Sequence, residues 1–558
     1  MRRAKLFRPQ SANRALLTKK KIPTMSILIE KKLKQAVHFH QTGNFNQAQN
    51  LYREVLVFDP QNPDAFHLLG LVAYQRGETQ EAEELVRRAI CLDGRAPIFH
   101  LSLGNVLSIQ GKRNEAIESF RQALRFEPRL AEAHYNLANE LFKANQIDES
   151  VFHYQEALRV KPDLAEGHYN LGKAFEKLDK LEEAEVSYRR ALKRKPDYFD
   201  AWFNLAISLS DQCKLRDAQR CYQQALAMKP GDVDANWNLS LIFLLSGNLK
   251  EGWEKYEWRL KQPKYRFLQS QKKRWRGEEA PDKTLLVRAE QGLGDVIQFI
   301  RFIPLLKPRV GRVLFECQPS LTSLLNNFSG IDETYSRNAD LSPPDVPYEV
   351  DSPLLSLPGI LEVTLDSIPA DVPYILPEKA RVEEWKQRIP PEAEQLKIGI
   401  AWAGHVGHRG NTKRSTSLLS WAPLARIRGV TFFSLQVGEA RAEAQNPPPG
   451  MNLVDLSDSI ADFADTAAFI SLLDMVISVD TAVAHLAGAM ATPVWTLLPF
   501  APDWRWLLGR RDTPWYPTMR LFRQGVPGDW KGVFEAVARD LRVVSDSGIP
   551  PGKPVIPG

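Results

Sequence analysis

Residues 472–499 read LLDMVISVDTAVAHLAGAMATPVWTLLP. A short apolar run, 475–479, stops at Asp480-Thr481, a small-residue helical segment follows over 482–490, and a second apolar run occupies 494–498. Strand, tight turn, helix and strand make the repeating unit of an open α/β sheet, and such sheets bind ligands beyond the carboxyl ends of their strands. A helix that starts there offers unpaired N–H groups to an anion. The pattern predicts an α/β domain with a phosphate-bearing ligand at this turn.

Working outward, 558 residues are too many for one core and imply about two to four domains. No apolar run approaches the roughly 18–20 residues of a spanning helix, so no membrane span is expected. Cys91, Cys213, Cys221 and Cys317 are scattered and form no CxxC pair, which fits a reduced, cytoplasmic setting without a thiolate metal cluster. The net charge of +6 hints at nucleic acid until it is located. Residues 1–28 carry eight bases (Arg2, Arg3, Lys5, Arg8, Arg14, Lys19, Lys20, Lys21) and no acid, so the remainder is 6 − 8 = −2. This leader reads as sequence upstream of a true start at Met25 rather than Met1, as a disordered tail, or as a transit peptide. In each case the folded part is not basic, which argues against nucleic acid as a partner.

The first half repeats every 34 residues: Pro60, Pro128, Pro162, Pro196 and Pro230 keep the step, with Gly94 in the slot between the first two. Small residues keep it too (Ala36, Gly70, Gly104, Ala138, Gly172, Ala206), as do the aromatics Tyr52, Phe120, Tyr154, Tyr188, Tyr222 and Tyr256. The physical reading is one helix pair per repeat, with small residues allowing close approach, the aromatic filling the gap and proline ending the second helix. The pattern resembles the tetratricopeptide repeat over residues 29–262, about seven units. Asn136, Asn170, Asn204 and Asn238 occupy one position in four successive units and would form a carboxamide ladder along the concave groove, suited to gripping a peptide backbone. Equally, these asparagines could serve the folding of each unit. The ladder resembles that of the O-linked N-acetylglucosamine transferases.

Residues 263–283, with Lys272, Lys273, Arg274 and Arg276, read as a solvated linker. From Thr284 an apolar strand enters Gly292-Leu293-Gly294-Asp295 and then a helix; Ile297 stands where a dinucleotide fingerprint needs its third glycine. Glu316 lies near the distance of a ribose-binding acid, so the pattern is incomplete, and a nicotinamide dehydrogenase is disfavoured. A second α/β series opens near residue 396 and closes with a helix over 531–542. The expected domains are a basic disordered leader (1–28), the solenoid (29–262), a linker (263–283), two Rossmann-like lobes (about 284–378 and 395–542, together 284–542) and a disordered tail (543–558).

EQGLGDVIQFIRFIPLL, GHVGHRGNTKRSTSLLSWAPL and SVDTAVAHLAGAMATPVWTLLPF resemble the glycosyltransferase family 9 (heptosyltransferase) domain, in the form fused behind tetratricopeptide repeats. The resemblance covers about 284–542 and implies a GT-B fold and an inverting, metal-independent glycosyltransferase. Its donor would be a nucleotide sugar, with no other cofactor, and its acceptor a protein or glycan recruited by the repeats. It makes Asp295 the catalytic base, although Asp before VIQF is also a good helix cap. Donor binding would fall to Thr481, Ala482, Val483 and His485, the turn glycines Gly292 and Gly294, and a cation, Lys413 or Arg414 first and Arg505 second. His485 could instead be a buried structural residue, and His405 and His408 are further candidate bases. Asn411-Thr412 stand where related proteins carry an acid, and His405 follows Gly404 where Asn-Pro is usual, which puts the loop's duties in question. Trp504, Trp506, Trp515 and Tyr516 read as core packing or as a sugar surface. The alternative function is an interaction scaffold with a degenerate, non-catalytic transferase domain.

Overall fold

The computed structural model describes residues 23–269, 272–391, 396–405, 407 and 411–547. The leader up to residue 22, His408 and the end of the tail from 548 lie outside the described residues. The chain divides into two compact units, residues 1–208 and 209–558, so the last helix pairs of the expected repeat span 29–262 pack with the second unit.

Helices in the first unit begin at Phe45, Thr79, Arg113, Ile147 and Leu181, and in the alternate series at Pro63, Pro97, Ala131, Ala165 and Phe199, each series stepping by 34 residues as the sequence does. The small residues are there for contact. A Cβ on Gly104 would sit 2.4 Å from the ring of Phe120, and one on Gly172 2.6 Å from the ring of Tyr188. Where the aromatic is missing, Val86 takes its place against Gly70. The second helices end at Phe58, Phe126, Val160 and Arg194, two residues before their prolines.

One further repeat feature has no fixed residue type. His100, His134, His168 and Trp202 each set a ring nitrogen 2.9–3.0 Å from the carbonyl oxygen six residues earlier, at Gly94, Pro128, Pro162 and Pro196. In the second unit Asn236 donates likewise to Pro230 at 3.0 Å. Each bond satisfies a carbonyl that the preceding helix leaves without an intrahelical partner.

The second unit opens with helices Leu215–Met228, Val233–Leu245 and Leu249–Tyr256 in the same register. Two sheets follow. The first comprises β1 (Lys273–Arg274), β2 (Ala280–Arg288), β3 (Val310–Cys317), β4 (Glu333–Ser336) and β5 (Val350–Pro353), in spatial order β1-β5-β2-β3-β4. The second comprises β6 (Leu396–Ala401), β7 (Val430–Ser434), β8 (Leu453–Asp455), β9 (Met475–Val479), β10 (Val494–Leu498) and β11 (Met519–Arg523), in order β11-β10-β9-β6-β7-β8. Every pairing among the described residues is parallel, which explains the unbroken apolar runs: helices cover both faces. Strand order reverses between β5 and β2 in one sheet and between β9 and β6 in the other.

Three expectations are corrected here. The stretch 263–283 is no linker: it forms the 3₁₀ turn Pro263–Leu268 and strand β1, and Trp275 is fully buried, its backbone N–H donating to Asp351 O at 2.9 Å. The closing helix runs Trp530–Ser547, beyond the expected end at 542. Glu316 cannot hold a ribose, because it is buried between Arg288 at 2.7 Å and Arg337 at 3.3 Å.

Candidate functional site

Ligands of open α/β sheets settle where strand order reverses. The turn after β2 carries Gly292–Asp295 and the turn after β9 carries Asp480–Thr481, so each sheet presents a predicted motif at its reversal point. The two meet. A Cβ on Gly294 would lie 2.9 Å from His485 Cδ2 and 3.4 Å from Ala482 Cα, so helix Leu293–Phe299 crosses directly over the start of helix Ala482–Ala489. The missing side chain of Gly294 is what allows that close approach.

Asp295 lies in the first turn of its helix. One carboxylate oxygen accepts the Gly292 N–H at 2.7 Å and the other pairs with the guanidinium of Arg505. Arg505 Nε donates to Gln298 Oε1 at 2.5 Å, Nη1 to Asp503 Oδ1 at 2.7 Å, and the group lies 4.6 Å over Trp504. Burial works against its charge, yet the carboxylates of Asp503 and Asp295 raise its pKa. Arg505, the second choice by sequence, is thus the cation bonded to Asp295, and its charge is felt at Asp480 and His485.

Beside it Asp480 is buried, and burial together with the charge of Asp503 pushes its carboxyl up to about 6. Its Oδ1 lies 4.0 Å from His485 Nε2. His485 is 5% exposed, shares a hydrogen bond with the Tyr516 hydroxyl at 2.9 Å through Nδ1, and stacks on Trp506 at 5.2 Å. Burial, then the guanidiniums of Arg505, Arg301 and Arg414, holds its pKa well below the ordinary value, so it is neutral. This places His485 in the packed wall behind the turn, not on a ligand-facing surface. Trp504, Trp506, Trp515 and Tyr516 are likewise buried packing groups.

The loop cations separate. Lys413 reaches Asp211 at 2.7 Å and is engaged there, whereas Arg414 lies against Gly404 and within electrostatic reach of Asp480 and His485. His405 is exposed and accepts the Gly407 N–H at 3.1 Å. At the helix start, Thr481 shares a hydrogen bond with Ser478 at 2.9 Å, and Ala482 and Val483 supply the first backbone N–H groups, which no helical carbonyl can reach.

The last repeat departs from pattern, with Ser240 and Gly252 at its small positions and Trp253 and Trp258 added, which predicts that one of its faces meets the second half of the chain, and it does. Gln291, next to the glycine turn, donates to Tyr256 OH at 3.0 Å, and Trp253 meets Trp504 edge-on at 5.4 Å. Arg259, fully buried, pairs with buried Glu290 at 2.7 Å and donates to Ser356 at 2.8 Å. Helix and 3₁₀ turn 249–261 thus form one side of the site. What the sequence did not show is which residues make the contact, Tyr256 to Gln291 and Arg259 to Glu290.

The asparagine ladder is already bonded. Asn136 donates to Asn105 at 2.8 Å, Asn170 to Tyr135 at 3.0 Å and Asn139 at 3.1 Å, and Asn204 to Tyr169 at 3.1 Å. These N–H groups tie each unit to the one before, the folding role weighed as the alternative to peptide binding; Asn238 is part-buried beside Tyr222. Among the described residues no cluster of three or more His, Cys, Asp or Glu could hold a metal ion.

Family comparison matches "TPR repeat" at residues 38–77, 104–139 and 138–179, and "Tetratricopeptide repeat" at 165–198 and 203–257. Residues 38–257 are therefore tetratricopeptide repeats, which support a role in protein interaction. Protein FlbA of Caulobacter vibrioides is 27% identical over 327 residues, 54% of each chain, so this chain spans about half the length of that curated relative. Among solved structures, YrrB, described as a TPR protein with an unusual peptide-binding site, is 19% identical with a TM-score of 0.31, covering 33% of this chain and 95% of its own. PilF of Pseudomonas aeruginosa is 18% identical with a TM-score of 0.36, covering 38% and 96%. No helix among the described residues is long and apolar enough to cross a membrane.

Proposed function

We propose that the second unit is an inverting, metal-independent glycosyltransferase of the GT-B kind, which moves a sugar from a nucleotide-sugar donor to a protein or glycan acceptor engaged by the repeats. The observation that carries the reading is the meeting of Gly292–Asp295 with Asp480–His485 at the reversal points of two parallel sheets. In this reading the donor diphosphate sits at Thr481, Ala482 and Val483, where the helix start favours negative charge. Hydrogen bonds to a charged group contribute about 1.5–3 kcal/mol each. Two or three of them barely reach the ~8 kcal/mol of micromolar affinity, so a cation must help. Arg505 and Arg414 fill that place better than Lys413.

Asp295 is the base. Its bonds to Gly292 and Arg505 occupy one lone pair on each oxygen, and a carboxylate offers about four such sites. Its side chain is 17% exposed, enough for an acceptor hydroxyl to reach it. The acceptor oxygen would lose its proton to Asp295 while the nucleotide diphosphate departs from the opposite face of the sugar.

The test is a thermal-shift panel of UDP, GDP and ADP sugars followed by transfer assays on Asp295→Ala. One donor should raise the melting temperature, and the variant should keep that shift while losing about 10²–10⁴-fold in transfer. A second reading, a scaffold with a non-catalytic transferase-like unit, is favoured by the engagement of both Asp295 oxygens. No shift with any donor would select it.

A further inference from the structure

Away from the two turns, the outer edge of the second sheet holds an arginine-lined pocket of about 320 Å³ between β11, residues 509–511 and helix Trp530–Ser547. Its lining includes Arg510, Arg511, Arg520, Arg523 and Arg539 against one carboxylate, Asp540. The arginines differ in how well they are neutralised. Arg510 is held by Asp512 at 2.6–2.7 Å, and Arg520 pairs with Asp540 while lying 4.8 Å over Phe522. Arg539 is only 3.7 Å from that same Asp540 and is 74% exposed, and Arg511 has no side-chain partner among the described residues.

Arg523 is the least neutralised of the five. Its Nε and Nη2 donate to the carbonyls of Arg510 at 3.0 Å and Trp506 at 2.5 Å, and its buried Nη1 has no partner among the described residues. No carboxylate pairs with it there. Burial pulls its pKa down to about 10, and the charge of Arg510 adds to the pull. A guanidinium taken from water without a counter-ion is costly, and four others sit around the same concavity. The missing element is a compact anion with several acceptor oxygens, for which planar guanidiniums are the preferred partners.

We propose that this pocket binds a small phosphate-bearing molecule. Its concave shape and size suit one or two phosphate groups rather than an extended surface. The proposal is independent of the transferase reading, since it uses none of the residues at the two turns.

The experiment is calorimetric titration of the full chain with pyrophosphate and, separately, inorganic phosphate. The variants are Arg511→Ala, Arg539→Ala and the pair together; both side chains are exposed, and circular dichroism melts check the fold. Saturable pyrophosphate binding is expected, weakening roughly tenfold or more per guanidinium removed. Absence of saturable binding overturns the proposal, as does an affinity the double variant leaves intact. Retention on phosphatidylglycerol vesicles without pyrophosphate binding also overturns it, assigning the arginines to a membrane surface.

Discussion

Asp480 is a carboxyl group that the fold keeps short of solvent. In the native state it holds its proton up to about pH 6, whereas an unfolded aspartate releases it near pH 4. Between those values the folded chain binds more protons than the unfolded one, so this group's contribution falls as pH rises through the window and stays low above it. Asp480→Asn should therefore stabilise the protein at pH 7, on the order of 2 kcal/mol, and gain nothing at pH 4. Denaturant unfolding of both proteins at the two pH values measures it. An equal difference at both would mean that the asparagine acts by packing against Trp506 and His485 and not by removing a buried charge.

At the scale of elements, the helix pairs rest on gaps as much as on side chains. Gly172→Ala gains about 1 kcal/mol in helix propensity, but the new methyl would stand 2.6 Å from the Tyr188 ring, and overpacking costs about 1–3 kcal/mol. A net loss and a lower first-unit melting temperature are expected; a rise would show that Tyr188 can move. Replacing Asn136, Asn170 and Asn204 together by Ala should lower that melting temperature too, by about 1 kcal/mol per lost hydrogen bond. If acceptor binding falls while thermal stability holds, the carboxamides face the ligand after all.

These elements also mark what could be read from the chain. Helix starts were legible because a packing constraint recurs every 34 residues and returns the same residue class. The bonds from positions 100, 134, 168, 202 and 236 were not, because His, Trp and Asn all carry an N–H that does the same work. Trp275 was lost among Lys272, Lys273, Arg274 and Arg276, where one buried ring leaves no period to detect. Both turns of the site were visible as motifs. Which cation serves them was not: Lys413 and Arg505 look alike in one dimension, and only folding brings one to Asp211 and the other to Asp295.

For the whole molecule, the proposed transferase unit begins well before its first long strand. A fragment starting at residue 284 lacks Trp253, Tyr256, Arg259 and Trp275, and leaves Glu290 buried without its ion partner, a change that costs about 3–5 kcal/mol. It should bind a hydrophobic dye and melt without cooperativity, whereas a fragment from residue 209 should melt in one sharp transition. Comparable calorimetric traces for the two would contradict this account.

The same attachment bears on how such a chain can vary. Repeats in a solenoid touch mainly their neighbours, so whole 34-residue units can be gained or lost before residue 209 without disturbing Gln291, Trp504 or Glu290. The helix pair ending at Tyr256 has no such freedom, because its side chains are fitted to the sheets beyond it. Lengthening is open at one end of the array and closed at the other, and insertions among relatives should fall accordingly.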